Sequence, residues 1–415
     1  MTGTIVERHM KHIGIIAEYN PFHNGHQYQL NKIKQQFPEK RLIIIMSGDY
    51  VQRGEPAVFN KYLRTKCALQ AGADIVFELP SLFATASAEY FASSAILSLS
   101  ATGIIDTLCF GCEDPDSNAL TKIASLFLEE PASYQQSLRQ HLKNGFTYPR
   151  ARSLAAAAYF QNDAYNRLLK QPNNILGIEY MKTIQKYKLD IAPFIIKRTG
   201  NGYHDISTDH TLCSASALRH SLARHNTDLR QFMPESAWKI LEESESAKPL
   251  FLSDFYPFLQ HALWQNASYE NYFEVTRELS NRLHSIRYYP ASIEELISQL
   301  TSKNLTETRI QRSLLNILLN HEKEDMASAL KANYVSYLRL LGFRSSAAAL
   351  LKEMKNTCSI PIINKVAQAE KILSQENYTI FQKDLCSSAL YQQIFFNKYH
   401  IQLPSEYEHS VIIEK

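Results

Sequence analysis

Two histidines three positions apart, with a glycine just before the second, make up the segment His23-Asn24-Gly25-His26. Imidazoles so spaced can donate hydrogen bonds to an α-phosphate as charge builds on it, and Gly25 removes a side chain that would block a close approach. Alone, the pair would only decorate a turn. Here it closes the loop Glu18-Tyr19-Asn20-Pro21-Phe22, which follows the apolar run Gly14-Ile15-Ile16-Ala17 and precedes a helical stretch. A strand–loop–helix junction of this kind is where open α/β sheets bind ligands. The free N–H groups and positive dipole end of the helix favour phosphate there.

A second element, Ser214-Ala215-Ser216-Ala217-Leu218-Arg219, is a hydroxyl-rich helix start that ends in a guanidinium. Ser216 by itself reads as an N-cap. Beside the first motif, the hydroxyls, the N–H groups and Arg219 suit the β- and γ-phosphates of ATP. The lone C-x-x-C of Cys109 and Cys112 has no second pair to complete a metal site, and Cys109 lies in an apolar strand-like run. A buried structural role is expected for both, and no metal ligands are assigned.

The elements that must position these groups are legible as apolar runs. Segments 14–17, 42–46, 74–80, 107–110 and 193–196 read as strands, and stretches near 26–33, 61–71, 87–99 and 216–222 read as helices. Residues 116–190 look mainly helical. Such alternation predicts right-handed βαβ units, hence an α/β fold with a doubly wound parallel sheet of the Rossmann type. Helical spacing such as Ile310, Leu314, Leu315, Ile317 and Leu318 predicts an α-rich C-terminal domain. The expected organisation is an extension over 1–12, a catalytic α/β domain over 13–225 and a helical domain over 226–415. With 45% apolar residues, 20% charged residues and a net charge of +3, the 415-residue chain has the composition of a soluble globular protein, so any anionic partner must meet a local patch. Six scattered cysteines and the lack of a signal peptide or spanning run predict a cytoplasmic protein.

The first motif resembles the H-x-G-H of the nucleotidyltransferase superfamily, and SASALR is similar to its second motif. More narrowly, GIIAEYNPFHNGH, MSGDYVQRGEPA, GADIVFELP, CFGCED, PNNILGIEY and KRTGNGYHD closely resemble the tRNA(Met) cytidine acetate ligase family. Further similar signals continue in LTETRIQRSLLNILL and YLRLLGF. The resemblance implies an enzyme that activates acetate with ATP, assisted by Mg²⁺, to acetyl-adenylate and pyrophosphate. It then moves the acetyl group to the 4-amino group of the wobble cytidine of elongator tRNA(Met), without acetyl-CoA.

It also implies an ATP site made of Ile16, Ala17, Glu18, Tyr19, Asn20, Pro21, Phe22, His23, Asn24, Gly25, His26, Gln27, Tyr28 and Gln29 together with Gly111, Asn173 and Arg198. The residues taken singly agree with that assignment. Gly111 ends a strand at the ligand edge, Asn173 can cap a helix or bond adenine or ribose, and Arg198 can reach phosphate or only solvent. His23, His26 and Arg219 are the expected catalytic groups, with Ser214 and Ser216 on the phosphates. Asp49 and Arg53 either position acetate or metal-bound phosphate, or form a loop salt bridge. For RNA, the candidates are Lys61, Arg64, Arg309, Arg312, Arg339 and Arg344, which on composition alone are also ordinary solvated charges. Two other readings stay open on the sequence: a pantothenate-synthetase-like ligase or other small-molecule nucleotidyltransferase, and an RNA-binding protein with an inactive nucleotide pocket.

Overall fold

The computed structural model describes residues 11–198, 213–224 and 228–415. Among the described residues ten strands follow one another: β1 (His12–Ala17), β2 (Leu42–Ser47), β3 (Tyr50–Val51), β4 (Glu55–Pro56), β5 (Ile75–Leu79), β6 (Ile105–Cys112), β7 (Ala192–Lys197), β8 (Leu338–Arg344), β9 (Ile362–Ile363) and β10 (Ile412–Glu414). β3 and β4 form a small hairpin of their own. The others make one sheet in the order β10-β8-β5-β2-β1-β6-β7, with β9 also beside β8.

The five strands legible as apolar runs are the five that form its parallel core. They read so clearly because both faces are covered. Leu42, Ile44 and Met46 of β2 enter one hydrophobic core while Ile43 and Ile45 enter the other, so every position is apolar. The expected helices are present as Asn24–Gln36, Lys61–Gln70, Ala88–Ala101 and Ala215–Ala223, and five more fill the span between β6 and β7.

The parallel core is extended at its β5 edge by strands of mixed direction. β8 runs antiparallel to β5, and β9 and β10 join it, so residues far beyond 225 complete the same sheet. The remainder of the C-terminal part is helical, with a separate core packed among the helices Tyr256–Gln265, Arg277–Ile286, Ile293–Leu300 and Glu307–Leu318. Residues 1–10, most of the expected extension, lie outside the described residues.

Buried charge ties the C-terminal strands to the parallel core. Lys61, 0% exposed at the start of the helix Lys61–Gln70, places its ammonium 2.8 Å from Glu78 on β5 and 2.9 Å from Glu406, and donates to Ser388 Oγ at 2.9 Å. Arg339 on β8 contacts the same two carboxylates. Burial, and then Arg339, act to lower the Lys61 pKa, but Glu406, Glu78 and Asp49 outweigh them and hold it above its ordinary value. Removing one member of such a network leaves uncompensated buried charge. Lys61→Met should therefore reduce the free energy of unfolding by about 3–5 kcal/mol in urea denaturation; a loss below about 1 kcal/mol would show that the network adds little stability.

Candidate active site

At the carboxyl ends of β1, β6 and β7 the chain leaves a cleft of about 330 Å³, the position expected for a ligand on a sheet of this type. The first motif forms one wall. His23 is the N-cap of the helix Asn24–Gln36, and its Nδ1 accepts from the Gly25 N–H at 3.0 Å. In return the His23 N–H donates to His26 Nδ1 at 3.2 Å. Imidazoles thus take the places that Ser and Glu hold in an ordinary capping box.

Two consequences follow for the chemistry. With each Nδ1 acting as an acceptor, a neutral ring carries its proton on Nε2, so both residues present an N–H donor. Both rings are held neutral. Burial, and then Arg198 and Arg219, push the His23 pKa down to about 3. Burial, then His23 and Arg198, put His26 well below its ordinary value. The rings stack with centroids 3.8 Å apart, while Tyr19 and Phe22 pack against the ring of His26 at 4.8 and 5.5 Å. Gly25 is required locally, because a Cβ there would lie 2.8 Å from His23 Cε1 and displace the capping ring.

The second motif forms the opposite wall. Ser214, not Ser216, is the N-cap of the helix Ala215–Ala223, accepting from the Ala217 N–H. Ser216 lies one turn before Arg219, whose guanidinium donates to the Asn20 carbonyl at 3.0 Å and to Ser216 Oγ at 3.4 Å, and lies 3.6 Å from Glu55. Arg53 lines the same wall; burial and then Arg219 lower its pKa.

The remaining wall comes from β6, β7 and the helix Pro172–Lys186. Gly111 is needed for close approach, but the first atom a side chain would meet is Arg198 Cγ at 3.2 Å, so it admits the arginine stem. Asn173 does not cap its helix. The Glu113 carboxylate sits over that N-terminus, accepting from the Asn173 amide at 2.6 Å and from the Asn174 N–H at 3.1 Å. With one N–H of its amide held by Glu113, Asn173 can offer a ligand its Oδ1 as an acceptor.

Of the expected residues, Ile16, Ala17, Glu18, His23, His26, Gln29, Gly111, Asn173, Arg198, Ser214, Ser216 and Arg219 line the cleft together. Tyr19, Asn20, Pro21, Phe22, Asn24, Gly25, Gln27 and Tyr28 do not, and several of them build the wall from behind: Asn20 Oδ1 accepts from the Val58 N–H, and Gln27 donates to the Ala71 carbonyl. The loop after Arg198 lies outside the described residues from 199 to 212. Gln52, Phe91, Phe110, Leu176 and Tyr180 also line the cleft. Gln52, Phe110, Leu176 and Tyr180 stand inside the sequence segments already singled out, whereas Phe91 carries no local signal.

Several charge assignments change. Asp49 and Arg53 do not act as a pair: Asp49 accepts from the Lys61 N–H at 2.9 Å in the buried network, and only Arg53 reaches the cleft. Lys61, Arg64 and Arg339 are between 0% and 5% exposed and bound to buried acceptors, which removes them from any RNA surface. Arg312 is held by Glu274 at 2.7 Å, leaving Arg309 and Arg344 partly exposed. Cys109 and Cys112 are buried, unbridged thiols that burial pushes up to about 12. Among the described residues no group of three His, Cys, Asp or Glu could hold a metal, and no helix is long and apolar enough to cross a membrane.

A histidine pair at a helix start above a parallel sheet, faced by a serine-capped helix bearing arginine, defines a HIGH nucleotidyltransferase, and the model of that family matches residues 10–405. The likeness goes further. Over 388 residues the chain is 39% identical to the tRNA(Met) cytidine acetate ligase of Thermoanaerobacter sp. strain X514, covering 93% of this chain and 96% of that one. It is 36% identical to the enzyme of the same name from Acetivibrio thermocellus, covering 97% and 100%. The crystal structure of Thermotoga maritima TmcAL bound with α-thio ATP superposes with a TM-score of 0.90 at 29% identity, covering 98% and 100%. The apo form of that protein gives 0.92 at 30%. The chain belongs to the tRNA(Met) cytidine acetate ligase family.

The neutral state of the histidines is measurable. Imidazole ¹⁵N shifts of His23 should stay at values for the neutral Nε2–H tautomer from pH 8 to pH 5, whereas a titration at about 6.5, the ordinary value of histidine, would refute the assignment. The linked stability effect has a fixed sign. The unfolded chain binds these protons as pH falls through about 6.5, but folded His23 binds only near 3, so stability declines across that window.

Proposed function

We propose that this chain is an ATP-dependent ligase that converts acetate and ATP to acetyl-adenylate and pyrophosphate. It then transfers the acetyl group to the 4-amino group of the wobble cytidine of elongator tRNA(Met), giving N4-acetylcytidine. The observation that carries this reading is the neutral histidine pair with matched tautomers inside a chain akin to these ligases along nearly its whole length. Its setting is the cytoplasm, where tRNA substrates reside.

Acetate is a weak nucleophile, so catalysis rests on aligning it with the α-phosphorus and on meeting the charge that develops there. The Nε2–H groups of His23 and His26 serve the α-phosphate. Being neutral, they donate without adding cations to a pocket that already holds Arg53, Arg198 and Arg219. Arg219, Arg53 and the N-terminus of the helix Ala215–Ala223 take the β- and γ-phosphates and carry off pyrophosphate. Mg²⁺ would be carried by the phosphates of ATP, where it would offset charge on the departing pyrophosphate, since no group of three His, Cys, Asp or Glu among the described residues would hold it. Asn173 Oδ1, beside Phe110 and Gly111, accepts from the adenosine. Arg309 and Arg344 are the partly exposed candidates for the RNA backbone.

Purified protein supplied with ATP, labelled acetate and elongator tRNA(Met) should release AMP and form acetylcytidine. Formation from acetyl-CoA instead of acetate and ATP would overturn the reading. His23→Ala should lower acetate-dependent pyrophosphate exchange by about 10²–10³-fold, the usual effect of removing one donor to a developing charge, with tRNA retention on filters unchanged.

A further inference from the structure

At its phosphate end the nucleotide cleft is not closed. A second cleft of about 910 Å³ opens there, and the two share Arg53, Ser216 and Arg219 in their walls. The clefts beside His409 share no wall residue with the nucleotide site. An acyl adenylate must be attacked where it forms, and once pyrophosphate has left, the space between Arg53, Ser216 and Arg219 is the way by which an amine coming from the second cleft reaches it.

The second cleft has the chemistry of a site for an uncharged planar ring. Leu250, Phe251 and Ile297 give it apolar walls. Glu294 and Glu307 at its edges, with Glu55, offset the two shared arginines, so it does not draw in a polyanionic backbone. Glu55 stands at the junction on β4, with Oε2 3.6 Å from Arg219 Nε. A carboxylate is the group that accepts from the N4 amine of cytosine, and aromatic or apolar walls hold bases splayed out of single-stranded loops.

We infer that this second cleft receives the acceptor cytidine of the RNA, turned out of its loop, and that Glu55 accepts the proton its 4-amino group gives up. The inference rests on the function proposed above. In the transfer step the amine nitrogen forms a bond to the acetyl carbonyl carbon. The bond from that carbon to the AMP phosphate oxygen breaks, and its electron pair leaves with AMP. The proton lost by nitrogen passes to the Glu55 carboxylate, so amide, AMP and neutral carboxyl group balance the step.

Ser298 is exposed on the wall of the second cleft and does not line the nucleotide cleft, so Ser298→Trp fills the second cleft without opening the core. It should retain acetate-dependent pyrophosphate exchange while acetyl transfer to tRNA falls about 100-fold, the scale of a misplaced reactant. Glu55→Gln should lower single-turnover transfer from preformed acetyl-adenylate by about 10²–10⁴-fold, as loss of a general base does, and Glu55→Asp should recover part of it. Undiminished transfer in Ser298→Trp or in Glu55→Gln, or equal loss of exchange and transfer in a folded Ser298→Trp protein, would overturn the inference. Failure of the unaltered protein to support exchange with acetate would instead overturn the proposed function.

Discussion

One buried guanidinium holds the site loops in place. Arg64, 1% exposed, donates from Nε to the Phe59 carbonyl and from its terminal nitrogens to the carbonyls of Glu18, Ser47 and Gly48. These carbonyls lie where β1 and β2 run out, just where the ladder no longer supplies partners and an unpaired buried acceptor is costly. Arg64 therefore fixes the start of the loop that carries Asn20, whose carbonyl in turn receives Arg219. The two walls of the nucleotide cleft are linked through a residue that touches neither ligand nor solvent.

The same helix start supplies Lys61 to the carboxylates of Glu78 and Glu406, so two adjacent turns serve two ends of the molecule. Burial and the nearby Arg198 and Arg219 keep the cleft histidines neutral. Cations needed for structure are sequestered with their partners, while the cleft has three arginines of its own and gains from donors that carry no charge.

Much of this was legible in the sequence, for physical reasons that differ from element to element. β1, β2 and β5 read clearly because both faces are buried, and the His23–His26 segment because its chemistry is contiguous. β8 was not legible: its partner β5 lies more than 250 residues earlier, and its short apolar run sits among helix-spaced residues. The roles of Lys61, Arg64 and Arg339 are not legible, because lysine and arginine are exposed unless paired, and their partners, Glu406 for Lys61 and Arg339 and backbone carbonyls for Arg64, are set by tertiary structure. The cap at Ser214 and the place of Glu113 over the helix of Asn173 likewise depend on where the chain turns, which periodicity leaves open by a residue or two.

The contact of Tyr62 with Glu406 spans 344 residues, and it places a clock inside the fold. At roughly 5–20 residues per second a ribosome needs about 20–70 seconds to travel that distance. Throughout that interval Lys61 lacks one of its counter-charges, and until β8 has been made the outer edge of β5 is unpaired. The nascent chain must therefore be kept from premature association until β8 and Glu406 have been made, and the order of synthesis, as much as the order of strands, shapes how this protein comes to be made.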